Sequence, residues 1–189
     1  MASAARRGAM IVLEGSDRVG KSTQAHKLIE ALSTNFPSEN FQLFKYPDRT
    51  TSIGQVINKY LLGEQQLDDH VIHLLFSANR WEHDHKIRKL LSSGTNLIVD
   101  RYAYSGVAYS SAKNGIDFNW CKSSDVGLVR PDVVIYLDLP NESVVYRNGF
   151  GGEIYEKKSF QEIVKNQFKL LIEDNWKVNY LMIMMINLN

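Results

Sequence analysis

The segment from Gly15 to Ser22 constrains this chain more than any other feature of its sequence. It reads Gly-Ser-Asp-Arg-Val-Gly-Lys-Ser and matches the pattern G-x-x-x-x-G-K-[ST] without a gap. An apolar run from Ala9 to Leu13 precedes it, and helical spacing of apolar residues from Lys21 to Leu32 follows it. Glycines permit the tight turn, and backbone N–H groups at a helix N-terminus attract anions. The segment therefore predicts a phosphate-binding loop between a buried strand and a helix.

The loop pattern assigns roles to particular side chains. We expect Lys21 to reach the β- and γ-phosphates of a nucleotide and the Ser22 hydroxyl to bind Mg²⁺. Asp100 follows the apolar run Leu97 to Val99, which is typical of a carboxylate that holds Mg²⁺ or its waters. The residues expected to bind the nucleotide phosphates are Gly15, Ser16, Asp17, Arg18, Val19, Gly20, Lys21, Ser22 and Thr23.

Strand and helix patterns alternate along the chain, which predicts an α/β fold of the P-loop NTPase type with helices on both faces of a parallel sheet. Its 189 residues suit one domain, 1–189. Further strands are predicted at Phe41–Phe44, Leu97–Val99 and Val133–Leu137. Helices are predicted from a Ser52 cap to Gly63, and over Asp68–Leu91, Tyr102–Ala112, Asn141–Arg147 and Ser159–Glu173.

Charge and cysteine content argue against several kinds of partner. The formal net charge is +1, so no overall field favours nucleic acid or an anionic membrane. The single cysteine, Cys121, excludes an internal disulfide and suits a reducing compartment. The stretch from Met1 to Met10 has no apolar core of a signal peptide. The apolar tail from Tyr180 to Leu188 is shorter than the ~20 residues of a membrane helix, and we interpret it as a strand or a foreign end.

Three arginines are expected near the phosphate loop. Arg18 lies inside it, Arg49 follows the second strand, and Arg101 follows Asp100 at the end of the third. Ligands of open parallel sheets bind beyond the carboxyl ends of the strands, so the arginines should converge on a second phosphate, as a kinase requires. A GTPase is excluded because Asn58-Lys59-Tyr60-Leu61 lacks the aspartate of the guanine motif N-K-x-D.

A helix face in the middle of the chain has the chemistry to bind a nucleobase. Phe76, Asn79 and Arg80 are spaced at i, i+3 and i+4. Phe76 can stack on a base, and Arg80 can donate to a base carbonyl. The histidines at 70, 73, 83 and 85 lack the spacing of a metal site. For Glu14, a structural pairing with an arginine and a functional role stay equally open.

Several runs together resemble the thymidylate kinase family, in particular its eukaryotic cytosolic branch. The resemblance covers about Gly8 to Lys177 and rests on the segments Ile11–Ser22, Tyr46–Arg49, His73–Glu82, Asp100–Tyr109 and Arg130–Asp132. It implies transfer of the γ-phosphate of ATP to dTMP, giving dTDP and ADP, with Mg²⁺ as the cofactor. It further implies a homodimer, a cytoplasmic location with nucleus or mitochondrion as alternatives, and a short lid at about 148–158.

The resemblance also implies roles for individual residues. Arg18 would stabilise the transition state, while Arg49 and Arg101 would hold the phosphate of dTMP. Phe76 would stack on thymine and Arg80 would bind its O4. The implied catalytic residues are Arg18, Lys21, Asp100 and Arg101, with Ser22 and Asp100 as metal ligands. The implied dTMP-binding residues are Asp17, Arg49, Phe76, Arg80, Arg101, Ser105, Tyr109 and Tyr155.

Two departures from the family pattern bear on activity. The lid of the family commonly reads Glu-Arg-Tyr-Glu, whereas residues 153–156 here read Glu-Ile-Tyr-Glu. After Lys177 the family continues into a last strand, an adenine-binding loop and a final helix, whereas residues 178–189 are atypical. An end that is cut short or altered predicts weak ATP affinity and low turnover.

Two alternatives to an active dTMP kinase remain at this stage. One is a low-activity or inactive isoform that binds dTMP or pairs with full-length subunits. The other is a deoxynucleoside kinase. The segment Tyr46–Arg49 argues against the second, because a nucleoside acceptor has no phosphate for Arg49 to hold.

Overall fold

The computed structural model describes residues 6–139 and 152–180 and contains the predicted parallel sheet. Its strands are β1 (Met10–Glu14), β2 (Phe41–Lys45), β3 (Asn96–Asp100), β4 (Val133–Asp138) and β5 (Trp176–Tyr180). They lie in the order β2-β3-β1-β4-β5, and every pair is parallel. The carboxyl ends of β1, β3 and β4 are therefore adjacent at one edge of the sheet.

The helices of the described residues are α1 (Lys21–Asn35), α2 (Ser52–Leu61), α3 (Asp69–Trp81), α4 (Asp84–Ser92), α5 (Ala103–Ser111), α6 (Phe118–Ser123) and α7 (Lys158–Lys169). None of them is long and apolar enough to cross a membrane.

Alternate residues of the central strands pack into two separate apolar cores. Leu97 and Val99 of β3 face the larger core, which also contains Ile72 of α3 and Phe168 of α7. Ile98 faces the smaller core, against which α1 packs. Successive residues of a strand point to opposite faces of the sheet, and helices cover both faces, as the near-continuous apolar runs predict.

The predicted long helix Asp68–Leu91 is wrong, because the chain breaks into α3 and α4 at Glu82 and His83. The His83 ring contacts Phe44 and Tyr46 at centroid distances of 5.8 and 5.9 Å. The sequence pattern gives no sign of this break, because apolar residues recur at helical spacing in α4 as well.

Smaller differences concern helix ends. The cap of α2 is Thr51 rather than Ser52: the Gly54 N–H donates to Thr51 Oγ1 at 3.0 Å, and Ser52 is the first helical residue. Helix α6 follows an Asp117 cap that accepts from Trp120 N at 2.7 Å, and it was not predicted. The last strand begins at Trp176, before the predicted Tyr180. The predicted helix Asn141–Arg147, most of the glycine-rich link and residues 181–189 lie outside the described residues.

Candidate active site

The phosphate loop has the backbone conformation that its glycines predict. Gly15 and Gly20 have φ values of 143° and 101°, which favour glycine. A Cβ on Gly15 would lie 2.3 Å from the carbonyl oxygen of Leu137 in β4, so a side chain there would force the loop off the sheet. Helix α1 begins directly after Gly20 and directs its N-terminal N–H groups into the loop.

The Lys21 ammonium lies inside the loop, with 5% of the residue exposed. It donates to the carbonyl oxygen of Ser16. Burial, with a further contribution from the nearby Arg101, lowers the pKa of Lys21 from its ordinary value to about 7. An anion placed in the loop would favour the charged form, because it would supply the opposite charge that burial removes.

The two predicted metal ligands are in direct contact. The Ser22 hydroxyl donates to Asp100 Oδ2, and Asp100 ends β3 at the carboxyl edge of the sheet. Lys45 Nζ lies 3.5 Å from Ser22 Oγ. A hydroxyl and a carboxylate are hard oxygen donors, and Mg²⁺ uses few protein ligands while keeping waters and phosphate oxygens. The pair therefore fits Mg²⁺.

Arg101 is held by groups of both the phosphate loop and α5. Its backbone is left-handed (φ 68°), and its Nη1 donates to Gly15 O and Ser105 Oγ, both at 3.1 Å. Its Nη2 pairs with the Asp17 carboxylate. Burial opposes its charge, but Tyr109 and the carboxylates around it raise the pKa of Arg101 further above its ordinary value. It therefore remains a fixed guanidinium between the phosphate loop and α5.

The other two predicted arginines pair with carboxylates of the segment that follows residue 151. Arg49 Nη2 lies 2.6 Å from Glu153 Oε1, and its Nη1 donates to Asn58 Oδ1 at 2.7 Å. Arg18 Nε donates to Glu156 Oε1 at 2.7 Å. Both carboxylates line the same cavity as the arginines, so an anionic ligand would compete with them for the same donors.

Gln161 of α7 connects the phosphate loop to this segment and was not predicted. Its side-chain N–H groups donate to Asp17 Oδ2 at 2.6 Å and to the carbonyl oxygen of Tyr155 at 2.8 Å, while its oxygen accepts from Asp17 N at 2.9 Å. Gln161 is separated from Asp17 by 144 positions. An isolated glutamine on a helix carries no local signal for such a role.

Phe76, Arg80, Ser105 and Tyr109 line the same cavity as the phosphate loop, as predicted. Asn79 has a different role: its Oδ1 accepts from Asp48 N at 2.7 Å, which holds the loop that leads to Arg49. Burial raises the pKa of the Tyr109 hydroxyl well above its ordinary value, so the group remains protonated.

Glu14 has no exposed surface and is used structurally. It accepts from Tyr102 N at 2.9 Å, from Ser105 N at 3.1 Å and from Ser105 Oγ at 2.5 Å. These bonds cap the start of α5 and fix Ser105 against Arg101. Burial raises the pKa of Glu14 above its ordinary range. A structural role for Glu14 is therefore favoured over a functional one. Its hydrogen-bond partners are at the N-terminus of α5, and Arg101 lies nearby.

The cavity of about 480 Å³ brings nearly all the predicted residues together. Gly15, Ser16 and Val19 do not line it; Val19 is buried in the smaller core, and the other two shape the loop. Tyr155 lines it from the segment after residue 151 and stacks on Phe160 at 5.3 Å. Lys45 and Gly106 also line it and were not predicted.

The histidines behave as predicted packing or surface residues. His73 is fully buried and forms hydrogen bonds with Ser110 Oγ at 2.8 Å and Cys121 O at 3.0 Å. Burial lowers its pKa, which favours the neutral ring. Over residues 6–139 and 152–180, no cluster of three or more histidine, cysteine or acidic side chains is arranged to hold a metal ion.

Comparison with known proteins gives one consistent family. A model of the thymidylate kinase family matches residues 13–186. The chain is 53% identical over 173 residues to an Arabidopsis thaliana thymidylate kinase, an alignment that covers 91% of this chain but 64% of that protein. It is 48% identical over 178 residues to the Homo sapiens thymidylate kinase, with 93% and 83% covered.

The solved structures agree with the sequence relatives. The Candida albicans thymidylate kinase has a TM-score of 0.82 and 41% identity to this chain, covering 92% of it and 83% of the Candida chain. The family match extends past Lys177 into the tail that the sequence pattern set apart. The match in sequence, the parallel sheet and the phosphate loop with its converging arginines lead to one conclusion: this chain belongs to the thymidylate kinase family.

Proposed function

We propose that the protein transfers the γ-phosphoryl group of ATP to the phosphate of dTMP, giving ADP and dTDP. The observation that carries the proposal is that one cavity holds two kinds of anion site. The phosphate loop with Lys21 lines this cavity, and so do Arg49 and Arg101. A reaction between two phosphate groups needs both sites within reach of each other.

The donor phosphates fit the loop. The backbone N–H groups at the start of α1 and the Lys21 ammonium can hold the β- and γ-phosphates. Ser22 and Asp100 would hold Mg²⁺, which would neutralise charge on the phosphates when it is bound.

The acceptor phosphate fits Arg101 and Arg49. A phosphate monoester is mostly dianionic near neutral pH, because its second pKa is about 6. One of its oxygens can therefore attack the γ-phosphorus without a general base, while the bond from that phosphorus to the ADP oxygen breaks. The arginines hold the attacking group in place and offset the repulsion between two anions.

Arg18 is suited to the charge of the group in transfer. Its left-handed backbone (φ 60°) lies in the middle of the loop, and its guanidinium lines the cavity. The position that commonly holds an arginine in the lid of the family is Ile154 in this chain. Arg18 therefore carries this role here.

The first test is an ADP-release assay with Mg-ATP and dTMP on the wild type and Arg101→Ala. The variant loses the guanidinium held by Gly15, Asp17 and Ser105, so kcat/KM should fall at least ~100-fold. Arg130→Ala is the control, because Arg130 is exposed and pairs with Glu173; it should keep wild-type kinetics. Equal kcat/KM for the wild type and Arg101→Ala would contradict the role of Arg101 in the reaction.

A second test uses the low pKa of Lys21. At pH 8 a lysine of pKa about 7 is mostly neutral, and bound phosphates should restore its charge. ATP binding at pH 8 should therefore take up about one proton, measured by calorimetry in buffers of different ionisation enthalpy. Lys21→Arg remains charged and should take up none. Binding by the wild type without proton uptake would contradict the placement of Lys21.

The comparisons favour neither alternative to dTMP phosphorylation. A deoxynucleoside kinase would leave Arg49 and Arg101 without an acceptor phosphate, and thymidine should accordingly fail as a substrate in the same assay. Weak ATP affinity and low turnover stay predictions from the atypical tail, and the cytoplasmic location stays a prediction from the family resemblance.

We further propose a homodimer formed through α3. Val71, Leu74 and Trp81 are 45%, 49% and 39% exposed, and their spacing places them on one face of the helix. Val126, which is 76% exposed, lies in the turn after α6, where Trp81 packs against Gly127. An apolar stripe of this kind on a helix fits the same stripe on a second copy about a two-fold axis.

Light scattering tests the dimer. The wild type should have twice the chain mass of 21.6 kDa, and Leu74→Glu should have the monomer mass, since it buries a charge in the interface. The matched control is Leu170→Glu, a leucine of α7's end that is 69% exposed, which should remain dimeric. A monomeric wild type, or a dimer that Leu74→Glu leaves intact, would refute this interface.

A further inference from the structure

Asp125 forms a buried ion pair with Arg80. Arg80 Nε donates to Asp125 Oδ1 at 3.0 Å and Nη2 donates to Oδ2 at 2.7 Å. The two side chains are 3% and 5% exposed. A two-point pair fixes the plane of the guanidinium as well as its position. Arg80 is therefore already oriented before any ligand enters the cavity.

Close packing also restrains the Arg80 guanidinium. A Cβ on Gly106 of α5 would lie 2.7 Å from Arg80 Nη2, so the guanidinium packs directly against the backbone of that helix. The Asp125 carboxylate is held as well, since Ser77 Oγ donates to Asp125 Oδ1 at 2.8 Å. Asp125 Oδ1 therefore accepts from both Ser77 and Arg80 of α3, and Oδ2 accepts from Arg80.

The turn that carries Asp125 is tied to α3 at intervals of four residues. His73 Nε2 lies 3.0 Å from Ser124 Oγ. Trp81 Nε1 donates to Ser124 O at 2.9 Å, and Ser77 Oγ lies 2.9 Å from the same oxygen, so the Ser77 proton is shared between Ser124 O and Asp125 Oδ1. His73, Ser77 and Trp81 are four positions apart and therefore lie along one face of α3. The carboxylate therefore has little freedom to move away from Arg80.

One nitrogen of Arg80, Nη1, remains for a ligand. Its Nη1 makes no hydrogen bond with the described residues, and Arg80 lines the cavity beside Phe76 and Ser105. Because Asp125 balances the charge, this end of the cavity presents a hydrogen-bond donor without a net positive charge. Such a site suits a neutral ring that carries a carbonyl acceptor, and it disfavours a ring with an amino group at that position.

We propose that Asp125 is a positioning residue that sets base specificity: it holds Arg80 so that its free donor meets the carbonyl of a neutral pyrimidine. The inference rests on the proposed dTMP kinase function. It concerns Arg80 and Asp125, which are different residues from the arginines proposed to bind phosphate. Removal of the carboxylate should therefore weaken binding of the base and leave phosphoryl transfer nearly intact.

Asp125→Asn tests the proposal, because it keeps the shape of the side chain and leaves the charge of Arg80 unbalanced. KM for dTMP should rise ~10- to 100-fold while kcat changes less than ~3-fold. The preference for dTMP over dCMP in kcat/KM should fall at least ~10-fold, since a loosened donor no longer rejects the amino group. A role in folding alone would move neither the KM-to-kcat split nor this preference.

Asp132→Asn is the matched control. Asp132 pairs with Arg7 at 2.9 Å and accepts from Met10 N at 2.7 Å, at the opposite edge of the sheet. It should lower the melting temperature without changing KM or base preference. Ser77→Ala is a milder variant in case Asp125→Asn does not fold; it removes one bond to Asp125 and should raise KM for dTMP ~3-fold with kcat unchanged.

The outcomes distinguish the proposed kinase function from the proposed role of Asp125. A wild type that does not phosphorylate dTMP would refute the kinase function itself. An active wild type, with Asp125→Asn or Ser77→Ala keeping wild-type KM and base preference, would overturn the role of Asp125 and leave the kinase function standing.

Discussion

The site depends on one cluster of buried and partly buried charges where β1 and β3 end. Glu14 caps α5, Asp17 lies in the phosphate loop, and Arg101 connects the two by bonding to Asp17, Gly15 and Ser105. Removal of one charged member would leave its neighbours with less compensation in a site largely shielded from water, so the members stabilise one another. The cluster fixes the phosphate loop relative to α5, and the cavity lies between them.

The other arginines that line the cavity are also paired with carboxylates. Arg18 and Arg49 pair with Glu156 and Glu153, and Arg80 pairs with Asp125. The pairs differ in exposure: Arg49 and Glu153 are 41% and 29% exposed, whereas Arg80 and Asp125 are nearly inaccessible. An incoming phosphate can therefore exchange with the exposed carboxylate at Arg49, but the pair at Arg80 is shielded from such exchange. This difference separates the phosphate end of the cavity, which binds charge, from the base end, which binds a neutral ring.

Much of this arrangement could be predicted from sequence because its signals are local. The phosphate loop is a continuous pattern, and Arg101 directly follows a strand, so strand topology alone placed it beside the loop. Asp125 and Gln161 could not be predicted in the same way, since they meet Arg80 and Asp17 across 45 and 144 positions of sequence. The break after Trp81 was missed because apolar spacing continues in α4, and because the contacts of His83 with Phe44 and Tyr46 leave no local pattern in the sequence.

The central claim is that Arg101 and Arg49 form a site for the phosphate of the acceptor. Calorimetric titration of the wild type with dTMP and with thymidine tests it most directly, because the two ligands differ only in that phosphate. Charge-assisted hydrogen bonds contribute about 1.5–3 kcal/mol each, so two arginines should make dTMP bind at least ~100-fold more tightly than thymidine. Equal affinity for the two ligands would contradict the account, since the arginines would then hold no part of the acceptor.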